Sequence, residues 1–248
     1  MEDRLELRVI ARMESEFSTK FGVPRQAGLV EGLRSRVVFE PPYRNRDALR
    51  GLEDFSHLWL IWGFHMARRE DWSPTVRPPR LGGNRRLGVF ATRSPFRPNP
   101  LALSCVRLEG MEDTPKGPAL LVSGADLMNG TPIYDIKPYV PYADCRPEAS
   151  HGFADPPRPT LRVDFPGELR ALLPPDRAQA LAETLAWDPR PRYQDDPDRV
   201  YGMAFGGWEV KFRVAGERLT VVGLERREEE PLCPIRSAPS GAFSSGAG

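Results

Sequence analysis

Near its start the chain alternates: "RLELRVIARM" sets Leu5, Leu7, Val9 and Ala11 on one side and Glu6, Arg8, Ile10 and Arg12 on the other, mostly a period of two that predicts a half-buried first strand. "SRVVFE" predicts a second strand. The polar stretch "RNRDALRGLED" has room for one or two helical turns, and "FSHLWLIWGF", aromatic and bounded by polar residues, reads as a fully buried strand. Short apolar runs then recur at "RLGVFAT", "LALSCVRLEGM", "ALLVSGA", "PIYDIKPY" and "TLRVDF", each closed by turn residues. Repeated short strands without helical patterns between them predict a mainly β fold, a sandwich or a closed β-barrel, rather than alternating α/β units.

The period changes in the last third. "PPDRAQALAETLAW" places Ala178, Leu181, Ala182 and Leu185 at helical spacing, opened by Pro174 and Pro175 and followed by Pro189. "WEVKFRVAGERLTVVGLE" alternates Trp208, Val210, Phe212 and Val214, turns near Gly216 and resumes with Leu219 and Val221, which predicts a hairpin. The expected organisation is a β-barrel unit over 1–165, a smaller C-terminal α+β unit over 166–226, and a disordered tail over 227–248, where charge, Pro, Ser and Gly leave too little apolar surface to order the chain.

Composition narrows the partners. With 248 residues and 40% apolar content, the chain can bury one sizeable core and a smaller appended one. The apolar run from Leu58 to Phe64 is too short to cross a bilayer, and Met1 is followed by Glu2 and Asp3 rather than a basic, then apolar, leader, so a cytoplasmic protein is expected. Cys105, Cys145 and Cys233 form no CxxC pair and suggest neither a disulfide framework nor a zinc knuckle. The formal net charge is +1, yet Arg77 to Pro100 contains Arg77, Arg80, Arg85, Arg86, Arg93 and Arg97 and no carboxylate. Without those six of the 35 basic residues, 29 face 34 acidic ones. The positive charge is therefore local, and it suits either a focused phosphate contact or a solvated loop with surface ion pairs.

Three further features bear on chemistry. "GADLMNGTPIYDIKPYVPYAD" gathers Asp126, Asn129, Asp135 and Asp144 near turns, where such oxygens either satisfy their own backbone or face a cationic or hydroxyl-bearing ligand. "FGVPRQAGL" is either a plain surface turn or a loop directing backbone amides and side chains at a small ligand. His57 and His65 share a face of one predicted strand but stand roughly 26 Å apart at ~3.3 Å per residue. His151 lies in a predicted loop, so no metal site is expected. GxSxG, GxxxxGK[ST] and GxGxxG fingerprints do not occur.

Taken together, "FGVPRQAGL", "DALRGLEDFSHLWLIWGFH", "RPPRLGGNRRLGVFATRSPFRPNPLALS" and "DLMNGTPIYDIKPYVPYAD" resemble the TsaA-like family, also called TrmO, over about Phe21 to Asp144 in matching order and spacing. "WDPRPRY" and the later hairpin resemble the smaller C-terminal unit of bacterial members. The resemblance implies a compact β-barrel working as a homodimer, with S-adenosylmethionine bound near the subunit interface and threonylcarbamoyl-adenosine in tRNA as methyl acceptor. It implies cofactor contacts at Pro24, Arg25, Gln26, His65, Met66, Arg93, Leu103, Asp126, Leu127, Met128 and Asn129, with Arg97 and Asn99 nearer the cofactor than the RNA. One segment departs from the family, in which a Ser-Pro step commonly follows the first strand; here the residues are "ESEF".

Within that frame the acceptor nitrogen is a weak nucleophile, so Asp126, Tyr134 and Asp135 are the candidate proton acceptors. Arg77, Arg80, Arg85 and Arg86 are candidate phosphate contacts on an anticodon stem-loop, with Phe96 a stacking candidate. Two alternatives remain at this level: a non-catalytic RNA-binding barrel, and a methyltransferase of the same fold acting on another RNA base or a small molecule.

Overall fold

The computed structural model describes residues 5–66, 71–78, 81, 85–154, 161–190 and 196–228. Its strands are β1 (Ala11–Glu14), β2 (Arg34–Phe39), β3 (His57–Gly63), β4 (Thr75–Val76), β5 (Leu87–Gly88), β6 (Leu101–Thr114), β7 (Gly117–Ser123), β8 (Pro132–Pro138), β9 (Arg162–Asp164), β10 (Tyr201–Phe205), β11 (Trp208–Ala215) and β12 (Arg218–Arg226). The α-helices among the described residues are α1 (Pro141–Asp144), α2 (Gly167–Arg170) and α3 (Pro175–Ala186).

Six strands pair in the order β1-β2-β7-β6-β3-β8, and β1 returns to β8 through Ala11 opposite Ile133 and Arg12 opposite Pro132, so this sheet closes on itself as a barrel. All its pairings are antiparallel. Alternation decides which side chains fill it: Leu58, Leu60 and Trp62 of β3 are buried with Met13, Val37, Val106, Leu120, Val122 and Ile133, as expected for a small barrel packed by its own side chains. The stretch after β2 makes short 3-10 turns at Arg46–Leu49 and Leu52–Asp54.

The second sheet has the order β10-β11-β12-β9, and α3 contributes Ala178, Leu181 and Leu185 to its core. Pro175 occupies the first turn of α3, where a missing N–H costs nothing. That core also takes Phe17, Val30 and Leu33 from the segment joining β1 to β2. The two cores therefore share a strap, residues 15–33. Gly22 holds φ +95° on it, and a Cβ there would collide with the sulfur of buried Met203, so only glycine fits this crossing.

Four expectations need correction. Residues 5–10 form no strand, and Leu5 and Leu7 are exposed, because pairing begins only at Ala11 opposite Phe39. "TLRVDF", grouped above with the barrel strands, supplies β9, which pairs in parallel with β12 in the second sheet. His65 is not on a strand with His57, since β3 ends at Gly63 and the chain turns; "RLGVFAT" likewise gives only a two-residue β5 before a 3-10 turn at Val89–Ala91. Residues 229–248, most of the expected tail, lie outside the described residues.

Among the described residues no helix is long and apolar enough to cross a membrane. No group of three or more His, Cys, Asp or Glu side chains among them is arranged to hold a metal ion.

Candidate active site

Strand direction collects the candidate residues. The ends of β1, β3 and β7 and the starts of β2, β6 and β8 all lie at one end of the barrel, so the connections 15–33, 64–100 and 124–131 emerge there together. Each of the other two connections is tied to the strap 15–33. Lys20 Nζ donates to the Met66 carbonyl, Arg93 Nη1 donates to Gln26 Oε1, and the Ala27 backbone N–H donates to the Asp126 carboxylate. Gly28 N–H donates to the Gly124 carbonyl at 2.8 Å, closing the strap onto the end of β7.

Asp126 is the best-supported polar group at this end. Ser104 Oγ donates to its Oδ1 at 2.6 Å, and Trp62 Nε1 donates in turn to Ser104 Oγ at 2.9 Å. Burial pushes the Asp126 carboxyl above its ordinary value, and the Ser104 hydrogen bond, two backbone donors and the charge of Arg93 pull only partly against it. The result is an acid of raised basicity held in one orientation. Ser104 and Trp62 were not singled out in the sequence, although a serine at an inward-facing position beside Val106 in "LALSCV" is a readable sign of a buried polar group.

Tyr134 and Asp135 occupy a bulge. Trp62 pairs with Ile133 and Ile61 with Asp135, so Tyr134 is the extra residue of β8. Its ring lies over Gly63, where a Cβ would come within 2.8 Å of the phenol oxygen. Asp135 is half-exposed and committed elsewhere, with Lys137 Nζ at 3.0 Å and the Ile136 N–H at 2.9 Å.

The remaining candidates separate by what their side chains do. Met66 and Leu103 are 58% and 51% exposed, unusual for large apolar residues. Leu127 points into the barrel core and its carbonyl accepts from Ser15 Oγ at 2.8 Å, while Asn129 Oδ1 accepts from Ser15 N at 3.3 Å and Asn129 N donates to the Phe17 carbonyl. The departing "ESEF" segment thus braces the "DLMN" corner. "RSPFRPNP" is a pinned turn: Thr92 Oγ1 donates to Val89 O, Arg97 Nη1 to Thr92 O at 3.1 Å, and Phe96 N to Ser94 Oγ at 3.2 Å. Phe96 is half-buried within it. Pro24 and Arg25 also border a cavity of about 200 Å³ shared with Lys20, Val30, Thr184 and Trp187. Arg77, Arg85 and Arg86 are exposed on and beside the β4–β5 ribbon, and Arg80 lies outside the described residues.

Comparison with known proteins places the chain in a family. The family profile described as the tRNA-methyltransferase O N-terminal domain matches residues 12–145, and that of the TrmO C-terminal domain matches residues 158–227. An Escherichia coli protein named tRNA (adenine(37)-N6)-methyltransferase is 41% identical over 227 residues, covering 88% of this chain and 97% of that protein. A Pseudomonas aeruginosa protein named putative S-adenosylmethionine-dependent methyltransferase RcsF is 45% identical over 209 residues, 81% of this chain and 88% of its own. The crystal structure of TrmO from Pseudomonas aeruginosa superposes with a TM-score of 0.74 at 34% identity, covering 90% of this chain and 99% of that one. With both profiles in order along one chain and a relative matched over nearly its full length, this protein belongs to the tRNA-methyltransferase O family.

Proposed function

We propose that this protein is an S-adenosylmethionine-dependent tRNA methyltransferase that methylates N6 of threonylcarbamoyl-adenosine next to the anticodon. The observation that carries the reading is the convergence of three connections at one barrel end, through Lys20 to Met66, Gln26 to Arg93 and Ala27 to Asp126, around a partly buried carboxylate. The residues fit the methyl donor by their chemistry: Asp126 complements a small cation, Met66 and Leu103 offer apolar surface, and Arg25 and Arg93 suit a carboxylate. When bound, S-adenosylmethionine supplies the methyl group on a positively charged sulfur.

The chain's own task is to position and to accept a proton. Attack needs the nitrogen lone pair in line with the bond that breaks, so fixed geometry accounts for much of the acceleration. Pinned turns at Thr92–Arg97 and the Ser15-braced corner supply that rigidity. The carbamoyl-bearing nitrogen is weakly nucleophilic until its proton leaves, and Asp126 is the acceptor. It combines raised basicity with fixed orientation, whereas Asp135 is tied to Lys137 and Tyr134 forms a wall over Gly63. Arg77, Arg80, Arg85 and Arg86 take phosphates of the anticodon stem-loop. A tRNA substrate supports the expectation of a cytoplasmic protein.

The deciding experiment compares methyl incorporation into tRNA with and without the threonylcarbamoyl group. Incorporation is expected only with the group present; equal incorporation assigns another base, and saturable RNA binding without methyl-donor binding assigns a non-catalytic barrel. The protein works as a homodimer with the donor site near the interface, a surface for which the exposed Leu103 and Met66 are suited. Light scattering returning the mass of one chain overturns that assignment.

A further inference from the structure

The most exposed aromatic pair among the described residues does not include Phe96, the single stacking candidate of the sequence. Trp72 and Phe90 stack with ring centroids 6.3 Å apart and planes 26° from parallel, and they are 50% and 74% exposed. Their exposure is built in. The β4–β5 ribbon pairs Thr75 with Gly88 and Val76 with Leu87, so the two aromatics flank the same end of it. Val89 N–H donates to the Pro74 carbonyl at 3.0 Å, Thr92 N–H donates to the Val89 carbonyl at 3.0 Å, and Val89 itself is buried. Those bonds and the Val89 anchor leave the intervening Phe90 ring turned outward on a fixed turn.

Charge identifies the occupant. Arg77, Arg85 and Arg86 surround the ribbon, exposed, and among the described residues none of the three pairs with a carboxylate; Arg86 Nη1 reaches only Thr75 Oγ1 at 3.4 Å. Two acids, Glu70 and Asp71, immediately precede Trp72 in sequence, against the three arginines around the ribbon. A rigid aromatic surface bordered by unpaired guanidiniums matches a π-faced anion, which describes an unpaired nucleotide better than a peptide or a lipid. Position agrees, since Phe90 is three residues before Arg93, a reach of about 10 Å at most, and Arg93 is bonded to Gln26 at the methyl-donor end.

We propose that Phe90 and Trp72 form a stacking platform for an unpaired base next to the target adenosine, with Arg85 and Arg86 on the adjoining phosphates. The inference rests on the tRNA reading above and adds which residues recognise the loop and how. The test is titration of full-length protein with a threonylcarbamoyl-modified tRNA at several salt concentrations, together with calorimetric binding of S-adenosylmethionine.

Phe90→Ala and Trp72→Ala should each weaken tRNA binding about 5- to 150-fold, the range for losing one stacked base, with the salt slope and methyl-donor affinity unchanged. Arg85→Ala and Arg86→Ala should instead lower the log-log salt slope by about 0.7 each. Phe90→Trp should retain binding, and Phe90→Leu should not. Wild-type affinity in both alanine variants overturns the platform, as does full binding by Phe90→Leu, which would mean apolar contact rather than stacking. A change of oligomeric mass in Phe90→Ala overturns it too, by making the patch a self-association face. Failure of the wild-type protein to methylate any tRNA is a separate result, and it removes the reading on which the platform rests.

Discussion

Replacing Asp126 by asparagine is expected to lower kcat by about 10²- to 10⁴-fold, the usual contribution of a positioned general base. The substitution keeps the shape of the side chain and removes its ability to take a proton. The amide oxygen of the new side chain still accepts from Ser104 Oγ, so the barrel end stays closed and the protein stays folded. The pH dependence gives a second readout. Because burial raises the Asp126 pKa, the active, deprotonated form is lost as pH falls through a value above the ordinary carboxylate range. Activity of the wild type should therefore show an acid limb, and Asp126→Asn should lack it. A bound cation beside the carboxylate favours its ionised form, so the limb in kcat should lie at lower pH than the limb in kcat/KM for the methyl donor. Asp135→Asn and Tyr134→Phe should retain turnover within a few-fold. Steady-state rates across pH for the three variants decide the matter: normal turnover in Asp126→Asn removes the assignment, and a large loss in Asp135→Asn or Tyr134→Phe transfers it.

What could be read from the sequence depended on how local the cause was. Strand β3 was legible only as a continuous apolar run; it reads as fully buried, yet His57, Trp59 and Ile61 are only half-buried because they face away from the barrel interior. Strand β11 was legible because one face is buried and the other is not, so alternation survives in the letters. The same alternation at Leu5 and Leu7 misled, since a period of two records which side chains share a face and not whether a neighbouring strand is present. Strand β9 was visible, but its partner β12 lies more than fifty residues on, and nothing local marks the sheet it joins. The bulge at Tyr134 is likewise a property of the pairing with β3.

At the site, the cofactor positions came from the resemblance, and geometry then sorted them: Leu127 has its side chain in the core, Asn129 is engaged by Ser15, and Arg93 reaches Gln26. Phe90 sits in "LGVFAT", which reads as a strand, and Phe96 in the proline-rich "RSPFRPNP"; the letters draw attention to Phe96, and only exposure marks Phe90 as the ring open to a partner. Least legible of all was "ESEF", a mostly polar segment whose Ser15, Glu16 and Phe17 are nevertheless buried at the junction of both cores.

That junction carries the second large effect. Glu16 and Arg177 form an ion pair whose side chains are 9% and 19% exposed, 161 residues apart in sequence. Arg177 Nη2 also donates to the Gly206 carbonyl at 3.0 Å, Gly206 N–H donates to the Glu16 carbonyl at 2.7 Å, and Phe17 meets Phe205 edge to face at 5.6 Å. One turn of strap is thus bonded to the second sheet on one side and, through Ser15 and Phe17, to the "DLMN" corner on the other.

Glu16→Ala leaves the Arg177 charge buried without its counter-ion and should cost about 3–5 kcal/mol, read as a lower urea midpoint. The direction of the Glu16 pKa sharpens this. Burial raises it, and Arg177 offsets that rise only in part, so the native state holds the proton more tightly than the unfolded chain. Stability from this group is therefore greatest below the unfolded value near 4.5 and declines as pH rises through the raised native value. Glu16→Gln, which is neutral and still accepts from Arg177, should abolish that decline and cost less than Glu16→Ala at neutral pH. Because the strap braces the corner, Glu16→Ala should also weaken methyl-donor binding although Glu16 is not among the residues assigned to it. Unfolding of Glu16→Ala at the wild-type urea midpoint would show that the pair holds nothing together, and unchanged donor affinity in a destabilised variant would uncouple the strap from the site.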